Sequence, residues 1–388
     1  MKITSIETHA VGAVWKNWLF ARVHTDQGIY GVGEGTLNGF IHTIDAAVDE
    51  LSHLVIGQDP RNVNALAKRM FDAVSNDGGH IHRTAIAIVE VACWDILGKS
   101  LGVPIHQLLG GKVRESVLGY ANGWYRNERN PEAFVKAIRK VVRMGFKAAK
   151  LDPFGIAQGF IEESELNLAY DILAAIRAAV GPDFKILIDV HRRFTESEAL
   201  RAARKLEPIG IYWWEEPTTG ARHEAVHEVA HRSPISVATG EAYDKISQFF
   251  TLAERGGVNI FQPEPMSLGG IGPAVAVAHL AQAHGSYIAP HQSGGPIATA
   301  VCLQVAAACP NFLIQEHFDA FNEAWTHDLV TWRPTIDSKT GHLSLPEGPG
   351  LGIDFNSEVA KAHPYQPKAY LNIFEEGWEQ RIGAAQKS

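Results

Sequence analysis

Along the middle of the chain five carboxylates and one imidazole recur at a nearly constant interval. They are Asp189, Glu215, Glu241, Glu264, His291 and Glu316, separated by 26, 26, 23, 27 and 25 residues. Each closes or directly follows a short apolar run, as in KILID, IYWWE, ISVATGE and SYIAPH. Carboxylates gathered in one place oppose one another's ionisation unless a cation lies among them. A common location for these six would therefore make a divalent-metal site, with imidazole and carboxylate groups around it for proton transfer.

The interval itself says which elements bring them together. A strand, a turn, a helix and a second turn take up roughly 20–35 residues, so the period is that of a repeated βα unit. Strands are expected at 117–121, 147–151, 185–189, 211–215, 235–239, 258–262, 286–290 and 312–315. Helices are expected at Pro131–Met144, Glu163–Val180, Glu196–Leu206, His223–Arg232, Lys245–Arg255 and Pro273–His284. Eight such units predict an α/β chain folded as a (β/α)8 barrel, whose strand ends face one mouth. Before them come strands at 2–12 and 18–34, the latter folded at Asp26-Gln27-Gly28, and helical spacing over 41–75 and 82–102. This predicts an α+β capping domain over 1–115, a barrel over 116–328 and a C-terminal segment, 329–388, that returns to the cap.

The bulk properties agree with a soluble two-domain globular protein. The chain has 388 residues, 46% of them hydrophobic and 20% charged, more than one core usually holds. A net charge of −8 argues against nucleic acid or an anionic membrane as partner. Cys93, Cys302 and Cys309 sit in apolar contexts, too few and too irregular for a disulfide framework or a zinc site. With no apolar leader and no run of membrane-spanning length, a cytoplasmic location is expected.

The motifs IDVH ending at His191, WWEEP at 213–217, ATGEAY at 238–243, Pro290-His291 and Gln315-Glu316 resemble the enolase superfamily. The early hairpin, CWDILGKSLGVPIHQLLGG and the PEGPGLGI stretch extend the likeness over nearly the whole chain. Within that superfamily it is most similar to the mandelate racemase-like subgroup and its galactonate dehydratase-type sugar-acid dehydratases.

The resemblance implies roles residue by residue. Asp189, Glu215 and Glu241 would hold Mg2+, a hard cation suited to carboxylate oxygens. His291 would be the base, oriented by Glu264 where the family carries an aspartate. His191 would be the general acid that protonates the departing hydroxide. Glu316 would hydrogen-bond the substrate carboxylate, which requires it to be protonated or to share a proton. The second strand departs from the subgroup's Lys-x-Lys and reads Lys150-Leu151-Asp152. Lys150 is expected either to pair with a metal ligand or to face the substrate carboxylate. Substrate contacts are further expected from loops of the first domain, Ala13–Trp18 with Trp15, Lys16 and Asn17, and Asp77–Arg83 with His80 and His82. By strand alternation Glu216 points away from the mouth and supports a ligand from behind. Arg192 and Arg193 read as solvated charges.

The function so implied is Mg2+-dependent dehydration of an aldonate to a 2-keto-3-deoxy acid. Expected partners are a small polyhydroxy carboxylate and further copies of the chain in a homo-oligomer. A racemase, epimerase or cycloisomerase working through the same enediolate is the alternative. A catalytically idle sugar-acid-binding relative is the other.

Overall fold

The computed structural model describes residues 1–13, 15–220 and 223–380. It opens with an antiparallel sheet of β1 (Ile3–Gly12), β2 (Asn17–Thr25) and β3 (Tyr30–Gly35) in that order. Three helices pack on it, Ile41–Val55, Val63–Asp72 and Gly79–Leu101. The single helical stretch expected over 41–75 is thus two helices. Gly57, in the left-handed region at φ 79°, and Pro60 interrupt it, since a proline cannot donate to a helix ladder. β3 carries alternate glycines because it lies directly on the third helix. A Cβ at Gly31 or Gly33 would fall 2.0 Å from the carbonyl oxygen of Ala92 or Ile88.

The remaining strands form a curled, largely parallel sheet. They are β4 (Ser116–Ala121), β5 (Ala148–Leu151), β6 (Lys185–Asp189), β7 (Trp213–Glu215), β8 (Val237–Thr239), β9 (Ile260–Phe261), β10 (Tyr287–Ile288) and β11 (Gln315–His317). Neighbours run β10-β9-β8-β7-β6-β5-β4-β11. The segment leading into β11 also meets β10, through a parallel bridge between Ile288 and Phe312. Inside the curl Tyr120, Ala148, Leu187, Trp213, Ala238, Ile260, Ala289 and Ile314 pack together, one from each strand or its flank. The six expected helices are present within a residue or two, and a seventh, Pro296–Ala308, lies between β10 and β11. That helix is apolar almost throughout and buried on nearly every face, so it lacks the polar stripe that marks a surface helix.

The C-terminal segment serves both units. β12 (His342–Ser344) pairs antiparallel with β4, while Gly350 bonds to Val103 and Ile105, and Pro364 bridges to Val11. Buried acids of the N-terminal unit also reach across. Glu34 accepts the N–H groups of Gly295 and Ala298 at the start of helix Pro296–Ala308. Glu90 accepts those of Ile271 and Gly272, at 2.9 and 2.8 Å, at the start of helix Ile271–Ala283. Each fills donors that a helix leaves unsatisfied in its first turn. The three cysteines are free and buried. Among the described residues no helix is long and apolar enough to cross a membrane.

Candidate active site

Asp189 closes β6, Glu215 closes β7, and Glu241 lies two residues past β8. Each offers an oxygen within 4.8 Å of the others, which makes a three-carboxylate set that could hold a metal ion. Adjacent parallel strands bring this about, with Asp189 in register beside Glu215. Glu215 is fully buried, and burial first, then Asp189, Glu316 and Glu241, push its carboxyl well above the usual range. Burial also pushes Asp189 up, but His191 and Lys150 prevail and hold it below that range.

Lys150 is the counter-charge. Its Nζ lies 2.5 Å from Glu215 Oε1, 3.0 Å from Glu316 Oε1 and 3.2 Å from Asp189 Oδ2. Burial alone would lower its pKa; the surrounding Glu215, Glu316 and Asp189 charges raise it well above 10.5 instead. Lys150 lies against Asp189 and Glu215 of the triad and lines the adjoining cavity as well.

His291 follows β10, and its Nδ1 is 2.7 Å from Glu264 Oε2. The longer glutamate side chain reaches because Glu264 caps the short helix Pro265–Leu268, where its other oxygen accepts the Met266 N–H at 3.1 Å. His291 Nε2 faces Glu241 at 3.2 Å. Burial lowers the imidazole's pKa, but Glu241, Glu316 and Glu264 outweigh it and push it up to about 10.

His191 is not placed by strand alternation. β6 ends at Asp189, and His191 and Arg192 both adopt left-handed backbone, φ 53° and 57°. The turn aims the ring at Asp152, whose Oδ2 lies 2.8 Å from His191 Nδ1, while Nε2 lies 3.5 Å from Asp189 Oδ2. Burial lowers the pKa of this imidazole, and Asp189 and Asp152 more than reverse that, so it too is raised.

Both histidines line one cavity of about 210 Å³ together with Asp189, Glu241, Lys150, Trp15 and Lys16. Lys16 lies over the Trp15 ring at 4.1 Å. A second cavity of about 370 Å³ adjoins it, sharing Glu241 and His291 and including His80 and Arg192.

Four expectations are corrected. Asn17 is not a cavity residue: its amide bonds the carbonyls of Gln366 and Ala369 and accepts the Gln366 N–H, stitching β2 to the C-terminal segment. Glu316 is not a protonated donor. Its oxygens take Lys150, Asn122 Nδ2 and the Gln292 N–H; burial raises its pKa, but Lys150 and His291 prevail and lower it. Arg193 is buried and paired with Asp152 rather than solvated, although Arg192 is exposed over 44% of its side chain. His82 turns inward and bonds the Met70 carbonyl. Glu216 does point away from the triad, accepting Thr239 Oγ1 and the Gly240 N–H and so bracing the turn that presents Glu241. Val14, in the expected loop Ala13–Trp18, lies outside the described residues.

Other lining residues were not singled out from sequence. Asn122 sits just past β4, where the strand-end rule places it beside Glu316. Leu371, Ile373 and Trp378 come from the C-terminal segment and carry no local signal for a role so distant in sequence.

Comparison with known proteins agrees with this geometry. Residues 5–110 match the mandelate racemase / muconate lactonizing enzyme N-terminal domain, and residues 133–359 match the enolase C-terminal domain-like family. The chain is 34% identical over 366 residues to a D-galactonate dehydratase of Pectobacterium atrosepticum, covering 92% of this chain and 93% of that protein. It is 30% identical to a D-gluconate dehydratase of Thermoproteus tenax, covering 92% of this chain and 71% of that one. Among solved structures, a mandelate racemase/muconate lactonizing enzyme from Jannaschia sp. CCS1 superposes with a TM-score of 0.87 at 30% identity, covering 94% and 98% of the two chains. A member of the enolase superfamily from Salmonella Typhimurium gives 0.87 at 29%, with the same coverage. The chain belongs to the mandelate racemase/muconate lactonizing enzyme family of the enolase superfamily.

Proposed function

We propose that this chain is a dehydratase, a hydro-lyase acting on a sugar acid of the aldonate type, and that its curled sheet closes as a (β/α)8 barrel. The observation that carries the reading is one cavity lined by two histidines, each with a carboxylate partner, beside the acidic triad. Oxygen-only ligands with a buried member suit Mg2+, which when bound to Asp189, Glu215 and Glu241 supplies positive charge where the substrate carboxylate gains electron density.

The chain's own groups account for the proton movements. His291 lines the cavity with Nδ1 held by Glu264 and Nε2 3.2 Å from Glu241, and Nε2, the nitrogen that Glu264 leaves, takes the proton α to the carboxylate. His191 lines the same cavity with Nδ1 on Asp152, and its other ring nitrogen delivers a proton to the β-hydroxyl as it leaves as water. Trp15, Phe318 and Trp378 give the cavity an apolar wall that limits water beside the reacting carbons. The product enol then becomes the 2-keto-3-deoxy acid.

A racemase or epimerase remains the second reading, because two histidines at one cavity could each exchange the α-proton. Incubation with D-galactonate, D-gluconate and pentonates plus Mg2+ in D2O, followed by proton NMR, decides between them. Keto-acid formation supports the dehydratase; deuterium incorporation with a new stereoisomer and no keto acid would replace it.

A further inference from the structure

Asp152 stands where the family resemblance led us to expect a second lysine, and its surroundings give it a task. The carboxylate is fully buried on the second parallel strand's exit. Its Oδ1 accepts the Phe154 N–H at 2.9 Å, and Oδ2 meets both Arg193 and, at 2.8 Å, His191 Nδ1. Arg193 is itself fixed, by bonds to the carbonyls of Val190 and Gly155. One Arg193 nitrogen on Oδ2 and the Phe154 N–H on Oδ1 together fix the orientation of the buried carboxylate. Two successive non-glycine residues in left-handed backbone hold His191 over that oxygen.

We propose that Asp152, fixed by Arg193, is a positioning residue for His191. It accepts the Nδ1–H, sets the ring plane and leaves Nε2 as the nitrogen that serves the cavity. The arrangement repeats, on the opposite side of the acidic triad, what Glu264 does for His291. As to its part in dehydration the inference rests on the function proposed above; as to ring geometry it stands alone. A simpler account is that Asp152 and Arg193 are only a structural ion pair ordering residues 152–157, and the test is chosen to separate the two.

Long-range 1H–15N NMR of the full chain reads the histidine ring nitrogens at one pH, with and without Mg2+, using His191→Asn and His291→Asn for assignment. The expected wild-type result is a protonated, hydrogen-bonded Nδ1 on His191. Its signal shifts in Asp152→Asn, while that of His291 does not. Dehydration kcat should fall about 10- to 100-fold in Asp152→Asn with KM little changed. Alpha-proton exchange should persist, Asp152→Glu should recover part of the loss, and the Asp152→Asn effect should vanish in a His191→Asn background. Should Asp152→Asn fail to fold with Arg193 unpaired, Asp152→Asn/Arg193→Met removes both charges, and the wild-type spectrum still decides. An unprotonated Nδ1 on wild-type His191, or equal losses of exchange and dehydration with no dependence on His191, would overturn the proposal. A wild-type chain that dehydrates no sugar acid but shows the expected spectrum would refute the function and keep the dyad.

Discussion

Lys150 is the ammonium set among the carboxylates of the site. One buried ammonium faces three buried carboxylates, Glu215, Glu316 and Asp189, beside the cavity it helps to line. Removing one partner of such a cluster leaves like charges unscreened and is worth about 3–5 kcal/mol. Lys150→Met is therefore expected to lower stability by that order when metal is chelated, and Mg2+ should restore part of it. Urea unfolding with EDTA and with Mg2+ measures both, and equal stability under the two conditions would contradict a cation at the triad. His291 gives the pH counterpart. Its pKa rises from 6.5 to about 10, so its stabilising charge is complete below about pH 6.5 and is lost as pH rises towards 10. In the proposed role of base His291 acts only when neutral, so the acidic limb of the pH–rate profile would report its deprotonation. Glu264→Gln removes one of the charges raising that pKa and should move the limb to lower pH; an unmoved limb would mean the pair does not tune the base.

At the scale of elements, the strand-end period made the triad, His291 and Glu264 legible, because parallel strands in register present residue after residue at the same height. The same rule reaches Asn122 after β4 and Asp152 after β5, although neither breaks the pattern with an obviously reactive side chain. His191 lines the cavity, but the strand period does not account for its placement. Alternation cannot act past the end of β6, and a left-handed turn, for which no glycine or asparagine gives warning, does the placing. The buried state of Arg193 was hidden for the complementary reason, since its partner lies 41 residues away on another strand. Contacts of the C-terminal segment with the cavity were not legible, although its return towards the first unit was expected. Trp378 packs edge-on to Tyr125 and His191, with centroids 6.1 and 6.2 Å apart, and donates to the Gly155 carbonyl at 3.1 Å. Trp378→Ala should cost about 3–5 kcal/mol as a buried large-to-small change. A chemical denaturation series tests this, and a loss under 1 kcal/mol would mean the segment is only loosely seated.

For the whole molecule, the acids that cross from the first unit to helix starts of the second set a pH dependence of their own. Burial pushes both Glu34 and Glu90 up from 4.5 to about 7, against the pull of the backbone N–H groups they accept. A carboxyl whose folded pKa is raised holds its proton more tightly in the folded state. Its contribution is thus complete below about pH 4.5 and is lost as pH climbs through 7, at up to about 1.4 kcal/mol per pH unit for each group. Stability is expected to decline between pH 5 and 8, and Glu34→Gln with Glu90→Gln should flatten the decline. Thermal melts across that range check it; an identical slope in the double variant would assign the decline elsewhere.

The C-terminal wall of the cavity has a consequence in time. Trp378 follows Glu241, the last member of the triad, by 137 positions, so a ribosome adding about 5–20 residues per second completes the triad about 7–27 s before it delivers that wall. Over that interval the strand ends stand open on the side where Leu371, Ile373 and Trp378 will lie, and Asn17 has not yet met Gln366. A nascent chain therefore carries both cavity histidines before it carries the C-terminal side chains that enclose them.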